Sequence, residues 1–361
     1  MRPMGIGVKP KPQIVAYTDL VVPNIGINNS ESVNFNIRTT TGYATVLWWD
    51  GTEETISGVT VDSLLQGVKA TDAIANKKTQ IWSSTSTGKR SGDIVYFRTR
   101  AEGYFASRYT ALDVSTLTGL KVLDCANNRM TSLGDIGACK NLVTLICSKN
   151  DIVTLNTSRN TNLLSLFCNH CDITSLTINP QLKRLGASSN PFTTFSLPSG
   201  SVIEEVYLND SALTTLSLTN LSTLAVLGCR GEGTNPGMPR GSNRRNVPAL
   251  TTLDVSGCPN LQAVKVGSNL QGFTGGSNPL SSVRALGSGV APTGTIPTAS
   301  PSDGIWYFHS CSLTAGALNT LFSDLNTVVS GTIRISNNTG TSASNASIAT
   351  TKSWTIDKSV V

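Results

Sequence analysis

Apolar residues recur through the middle of this chain at one fixed spacing. Between Leu120 and Leu155 the phrase Leu-x-x-Leu-x-Cys-x-x-Asn-x-Met/Ile-x-x-Leu is written twice. The first copy uses Leu120, Leu123, Cys125, Asn128, Met130 and Leu133. The second uses Leu142, Leu145, Cys147, Asn150, Ile152 and Leu155, so every landmark moves by 22 residues. Further copies start at Leu163, Leu182, Ile203 and Leu224, with steps of 21, 19, 21 and 21. The frame returns at Leu261 and again at Leu280. Such a period predicts a solenoid, because one unit cannot bury its own apolar face and stacked units can. The Leu-x-Leu/Cys pair predicts a strand in each unit, and neighbouring strands a parallel sheet. Asn128, Asn150, Asn190, Asn269 and Asn338 hold the turn slot, where a side-chain amide can satisfy buried backbone groups. Cys171, Ser211 and Cys311 occupy the same slot and predict local weakening of that ladder.

The pattern changes at both ends. Val33, Phe35 and Ile37 alternate with polar residues, as do Val46 and Trp48, and Asp50-Gly51 is a hairpin-type turn signal. Further strands are expected at 80–83 and 93–98. Residues 25–110 therefore predict a small antiparallel β-sandwich-like domain. Residues 1–24 predict an extended arm, since proline in Lys9-Pro10-Lys11-Pro12 fixes φ and cannot donate to a ladder; it is either a loose terminus or a tether. The repeats then fill 111–361. Near the far end, Leu313 to Leu325 predicts a helix with Leu318, Leu321, Phe322 and Leu325 on one face. A short helix at Ile348 and Ala349 and a last strand at Trp354-Thr355-Ile356 complete a helical C-terminal cap over about 303–361. The step from Leu224 to Leu261 is 37 residues. The excess falls in a polar loop over about 231–249 that carries Arg240, Arg244 and Arg245. The loop reads as solvated and silent, with a role at the edge of a binding face as the other reading.

Composition narrows the function. Charged residues are 14% and the formal net charge is +6. No basic stripe crosses the repeats, so nucleic acid is not an expected partner. No apolar run approaches a membrane span of about 20 residues. The first residues lack the apolar core of about 7–15 residues that a secretory signal needs. If Met1 is the true start, synthesis in the cytoplasm without export by the general secretory route is expected. Of the eight cysteines, Cys125, Cys147, Cys168 and Cys229 share one inward slot of the repeat. Cys139 and Cys258 share another, three residues before a repeat leucine. This predicts reduced thiols packed as small hydrophobes rather than disulfides.

No catalytic pattern stands out. The two histidines, His170 and His309, lie in no nucleophile motif. Cys168-Asn169-His170-Cys171 has half the ligands of a zinc site and no second pair to complete it. No metal, cofactor or enzyme activity is expected.

Residues 111–361 resemble the leucine-rich repeat family in its bacterial form, on the LDVS phrases at 112–115 and 253–256 and the recurrent Leu-x-Cys-x-x-Asn. The resemblance implies a mixed, β-rich architecture: the β-sandwich-like domain followed by a leucine-rich repeat solenoid, a parallel β-sheet horseshoe. The stretch TTTGYATVLWWDGT and the closing segment also resemble modules of phage virion proteins and bacterial surface proteins. They imply a structural or recognition component of a phage particle, attached to other virion proteins through its arm and β domain. The repeats would face a host surface protein or glycan, and the chain would form a homo-oligomer within the assembly. A bacterial cell-surface adhesin and a cytoplasmic protein-binding scaffold are the alternatives. The expected recognition residues face outward from the concave sheet: Ile146, Phe167 and Tyr207 in one column, with Asn169, His170, Lys183, Arg184, Glu204 and Glu205 nearby.

Overall fold

The computed structural model describes residues 17–21, 32–47, 52–58, 65–70, 78–83, 94–99, 109, 111–229, 250–261, 263–266, 282–284, 306–308, 311, 313–325, 327 and 331–359. Trp48, Trp49 and Arg240, Arg244 and Arg245 of the expected loop lie outside these residues. Among the described residues no helix is long and apolar enough to cross a membrane.

The repeat phrase builds one strand per unit. Val122–Asp124, Thr144–Ile146, Ser165–Phe167, Arg184–Gly186, Glu205–Tyr207, Val226–Gly228 and Ala263–Lys265 lie side by side in a 13-stranded sheet. Their pairing is parallel and in step: Leu123, Leu145, Leu166, Leu185, Val206, Leu227 and Val264 face one another in succession. All seven are fully buried. Truncating any of these leucines to alanine costs about 2–5 kcal/mol, because a stacked unit cannot collapse into the gap. The extended step from Leu224 to Leu261 leaves this register intact, since Val226–Gly228 pairs directly with Ala263–Lys265.

Some units also carry a second short strand, and these strands form two separate parallel sheets that the sequence pattern did not anticipate. Thr154–Asn156 pairs with Ser175–Thr177, and Thr215–Ser217 pairs with Thr252–Asp254, which pairs with Ser282–Arg284. These strands are three residues long, too short for alternation to show. The Leu-Asp-Val-Ser phrase makes the same turn wherever it occurs. Asp113 and Asp254 each accept from the backbone N–H two residues on, at 2.9 Å.

Of the expected turn asparagines, Asn128, Asn150, Asn190 and Asn338 act as expected, and Asn269 lies outside the described residues. Asn150 Nδ2 donates to the carbonyls of Cys125 and Cys147, and its Oδ1 accepts from Met130 N–H. Asn190 and Asn338 repeat this set of three. In the same slot Cys171 makes a weaker substitute, its Sγ donating to Cys147 O at 3.3 Å. A second ladder runs through the slot that Cys139 and Cys258 share. Asn160 Nδ2 donates to Ile136 O and Cys139 O, and Asn179 Nδ2 to Asn160 O and Leu163 O. The Cys139 thiol donates to Val114 O at 3.3 Å and the Cys258 thiol to Leu218 O at 3.1 Å. All eight cysteines are free and buried.

The long sheet crosses the junction expected near residue 110. Ile94–Arg98 pairs in parallel with Val122–Asp124, placing Phe97 opposite Leu123. Asn128 Nδ2 donates to Thr99 O, as a turn asparagine does to the unit before it. Residues 94–99 thus supply the strand of a further unit, in which Phe97 replaces the landmark leucine. On its other side Ile94–Arg98 pairs antiparallel with Ser32–Thr39, which pairs with Leu65–Ala70. A separate five-stranded sheet joins Glu53–Ser57, Tyr43–Leu47, Lys78–Ser83, Tyr17–Val21 and Ala111–Asp113. Tyr17–Val21 falls within the expected arm, and pairing on both sides holds it in this sheet. The rest of the expected arm, residues 1–16 and 22–24, lies outside the described residues. Ile37, Ala44, Val46, Ile94 and Phe97 belong to the same apolar core as the repeat leucines.

At the far end, Ala315–Asp324 is helical, with Thr314 capping Ala317 N–H and with Leu318, Leu321 and Phe322 buried. A single helical turn, Ser347–Thr350, precedes the last strand, Trp354–Asp357. Trp306 and Trp354 pack edge to face with centroids 5.5 Å apart.

Candidate binding face

Two columns of side chains leave the long sheet on the side away from the core. The first is Val122, Thr144, Ser165, Arg184, Glu205, Val226 and Ala263. The second is Asp124, Ile146, Phe167, Gly186, Tyr207, Gly228 and Lys265. The second column is the one that the sequence singled out. Ile146, Phe167 and Tyr207 are half-buried, so each presents apolar surface in a column that otherwise holds charged residues and glycines.

The aromatic rings lean on glycines. A Cβ built on Gly186 would stand 2.9 Å from Phe167 Cδ1 and 3.1 Å from Asn169 Nδ2. Tyr207 and Asn209 repeat the arrangement at Gly228, where the corresponding ring distance is 2.9 Å. The units therefore alternate aromatic-x-Asn with glycine. Side chains ordinarily stand upright from a sheet. Here each ring reaches over the neighbouring strand because that strand carries no side chain.

A polar ladder runs beside the rings. Ser148 Oγ accepts from Asn169 N–H, Asn169 Oδ1 from Ser188 N–H, and Ser188 Oγ from Asn209 N–H. The next position along is the tip of the turn, occupied by Asn127, Lys149, His170, Ser189 and Asp210, all at φ between 52° and 60°. In this left-handed region a non-glycine residue costs roughly 1–2 kcal/mol, with Asn and Asp the best tolerated. The turn is held by the inter-unit ladder, in which His170 N–H donates to Ser188 O at 2.8 Å. Phe167, Gly186, Tyr207, Asn169, Ser148, Ser188 and the turn tips from Lys149 to Asp210 line a single open depression of about 440 Å³.

Of the expected recognition residues, Phe167, Asn169, His170 and Tyr207 come together in this depression, and Ile146 stands next to Phe167 in register. The charged candidates do something else. Lys183 pairs with Glu204 at 2.8 Å and Arg184 with Glu205 at 3.3 Å, each across neighbouring units. They do not line the depression. Sequence reasoning missed Ser148, Ser188 and Asn209, and it gave Gly186 and Gly228 no role. The alternation of Phe-x-Asn, Gly, Tyr-x-Asn and Gly at the repeat period was the available signal.

Among the described residues no group of three or more His, Cys, Asp or Glu side chains is placed to hold a metal ion. The Cys168 and Cys171 thiols face the core. Burial pushes both up from their ordinary pKa, Cys171 to about 12.

These features define a repeat-built β solenoid with an aromatic depression on its long sheet. Residues 118–159 match the family model described as Leucine Rich repeats (2 copies). Solved structures similar to the chain include the functional domain of InlJ from Listeria monocytogenes, whose description notes a cysteine ladder. It is 20% identical, with a TM-score of 0.35 over 66% of this chain and 49% of that one. YopM from Yersinia enterocolitica is 17% identical, with a TM-score of 0.30 over 61% of this chain and 52% of its own. A leucine-rich repeat protein of Leptospira interrogans is 16% identical, with a TM-score of 0.28 over 68% of this chain and 79% of its own. The chain thus spans about half the length of the first two. No curated protein sequence matches it.

Proposed function

We propose that the chain is a non-enzymatic recognition scaffold that holds a partner on the open face of its long sheet, centred on Phe167 and Tyr207. The observation that carries this reading is the pair of half-buried rings laid over glycines beside a polar ladder. Rigid aromatic anchors ringed by hydrogen-bonding groups are what interface hot spots are built from. A binding role is favoured over a catalytic one because the residues that resemble catalytic groups have structural duties. His170 fills a turn slot that Lys149 and Ser189 fill in other units, and the cysteines are core.

The test is adhesion of the labelled protein to a panel of intact bacterial cells. Tyr207→Ala is expected to weaken binding about tenfold or more, the scale of one aromatic hot spot. Val153→Ala, at a side chain 49% exposed away from this face, leaves it unchanged. Equal loss from both variants contradicts the reading. The setting proposed is a phage particle, supported by the resemblance of two stretches of sequence and by no feature of the fold. Detection of the chain in purified particles supports that setting, and absence from them sinks it.

A further inference from the structure

We infer that the depression between Phe167 and Tyr207 is a binding site for an uncharged saccharide, held by stacking on the Phe167 ring and by hydrogen bonds from Asn169, Ser148 and Ser188. The inference rests on the reading that this face is the recognition surface, and it names the chemistry that the face takes.

Four observations converge on that class. The first is size: about 440 Å³ lies within the roughly 300–1,000 Å³ range of small-ligand sites. The second is the ring. It reaches over Gly186, is half-buried and lines the depression, so part of its aromatic surface stays open to whatever enters. An aromatic face carries the negative lobe of the ring quadrupole. It suits the weakly positive C–H face of a pyranose ring.

The third is the polar wall. Asn169 Oδ1 is committed to Ser188 N–H, which fixes the amide so that Nδ2 carries two donor hydrogens with no bond among the described residues. Ser148 and Ser188 each accept one backbone N–H through Oγ, which leaves their hydroxyl hydrogens to donate. Three neutral donors spaced along one side of an aromatic platform match a row of sugar hydroxyl, ring or acetamide oxygens.

The fourth is charge. Lys149 and Asp210 both line the depression, and the nearby charges are matched in sign, Lys183 with Glu204 and Arg184 with Glu205. A polyanion such as nucleic acid needs an uncompensated basic track. The paired charges do not provide one.

The experiment is ligand-observed saturation-transfer NMR on the full chain. The probes are neutral methyl hexopyranosides, N-acetylhexosamines and their short oligomers, with N-acetylneuraminic acid and a short oligonucleotide as charged comparisons. The expected result is transfer confined to the C–H protons of one face of a neutral sugar. Phe167→Ala and Asn169→Ala should each weaken it about tenfold, with far-UV circular dichroism unchanged. Gly186→Ala should weaken it too, because the added methyl displaces the ring. A second arm compares a protein-linked glycan with the same glycan released, and equal binding assigns recognition to the sugar itself. No transfer to any neutral sugar, equal transfer in Phe167→Ala, or preference for either charged probe overturns the proposal. So does capture of an unglycosylated partner by a photo-cross-linking side chain at position 146 without sugar binding, although that outcome upholds the recognition face.

Discussion

Phe167 and Gly186, in neighbouring units, form one packing element: Cδ1 of the ring lies 2.9 Å from where a Cβ on the glycine would stand. Real Cβ contacts are longer, so Gly186→Ala forces the ring off the sheet. The ring is only half-buried and has room to move, which puts the cost near the low end of overpacking, about 1 kcal/mol. Urea denaturation measures it. Gly228→Ala, under Tyr207, should behave alike.

The turn ladder makes a prediction of opposite signs. Asn150→Ala removes three buried hydrogen bonds and strands Met130 N–H, at about 2–4 kcal/mol. Cys171→Asn should stabilise by about 1 kcal/mol. It replaces long thiol bonds with the set that Asn150 and Asn190 make in the flanking units. Chemical denaturation of the two variants separates a true ladder from incidental contacts.

The thiols give a pH signature. Burial is the main cause that raises Cys139 and Cys171 to about 12, and it pushes Cys125, Cys147, Cys168 and Cys311 upward as well. In the unfolded chain a thiol titrates near about 8.5. Above that pH the unfolded state releases protons that the folded state keeps. Their contribution is therefore fully present below about pH 8 and declines as pH rises through 9 toward 12. Stability measured against pH should fall on the alkaline side. Ellman's reagent should find no rapidly reacting thiol at pH 8 until denaturant is added, when all eight react.

The charged residues beside the depression should matter little. Lys183 and Glu204 are 48% and 38% exposed, and such pairs are worth roughly 0–1 kcal/mol. Lys183→Ala should change both stability and cell binding by less than about 1 kcal/mol. His170→Asn should hold or raise stability by up to about 1 kcal/mol, since asparagine suits the left-handed turn better. A marked loss of binding in His170→Asn would give that side chain a role beyond the turn.

How legible this was depends on what each residue does. The parallel sheet could be read because Leu123, Leu145 and Leu166 are buried by the same neighbours in every unit, and repetition amplifies a weak local signal. The further unit at 94–99 escaped because Phe97 and Thr99 stand where other units carry leucine and cysteine. The second ladder was half visible. Cys139 and Cys258 were recognised as one slot, yet Asn160 and Asn179 in that slot were not. At the site, Phe167 and Tyr207 stood out as apolar residues in an outward column. Gly186 did not, because a glycine's contribution is the space that it leaves. Lys183, Arg184, Glu204 and Glu205 looked available because sequence shows charge and not the cross-unit pairing.

The central claim is that partners meet the chain on the Phe167–Tyr207 face. Site-specific photo-cross-linking tests it most directly. A benzoylphenylalanine in place of Ile146, beside Phe167 in the outward column, is compared with the same side chain in place of Val153, exposed away from that face. Both proteins are irradiated on intact bacterial cells. The account predicts adducts from position 146, lost when Tyr207→Ala is added, and none from position 153. Adducts of equal yield from both positions, or from position 153 alone, would contradict it.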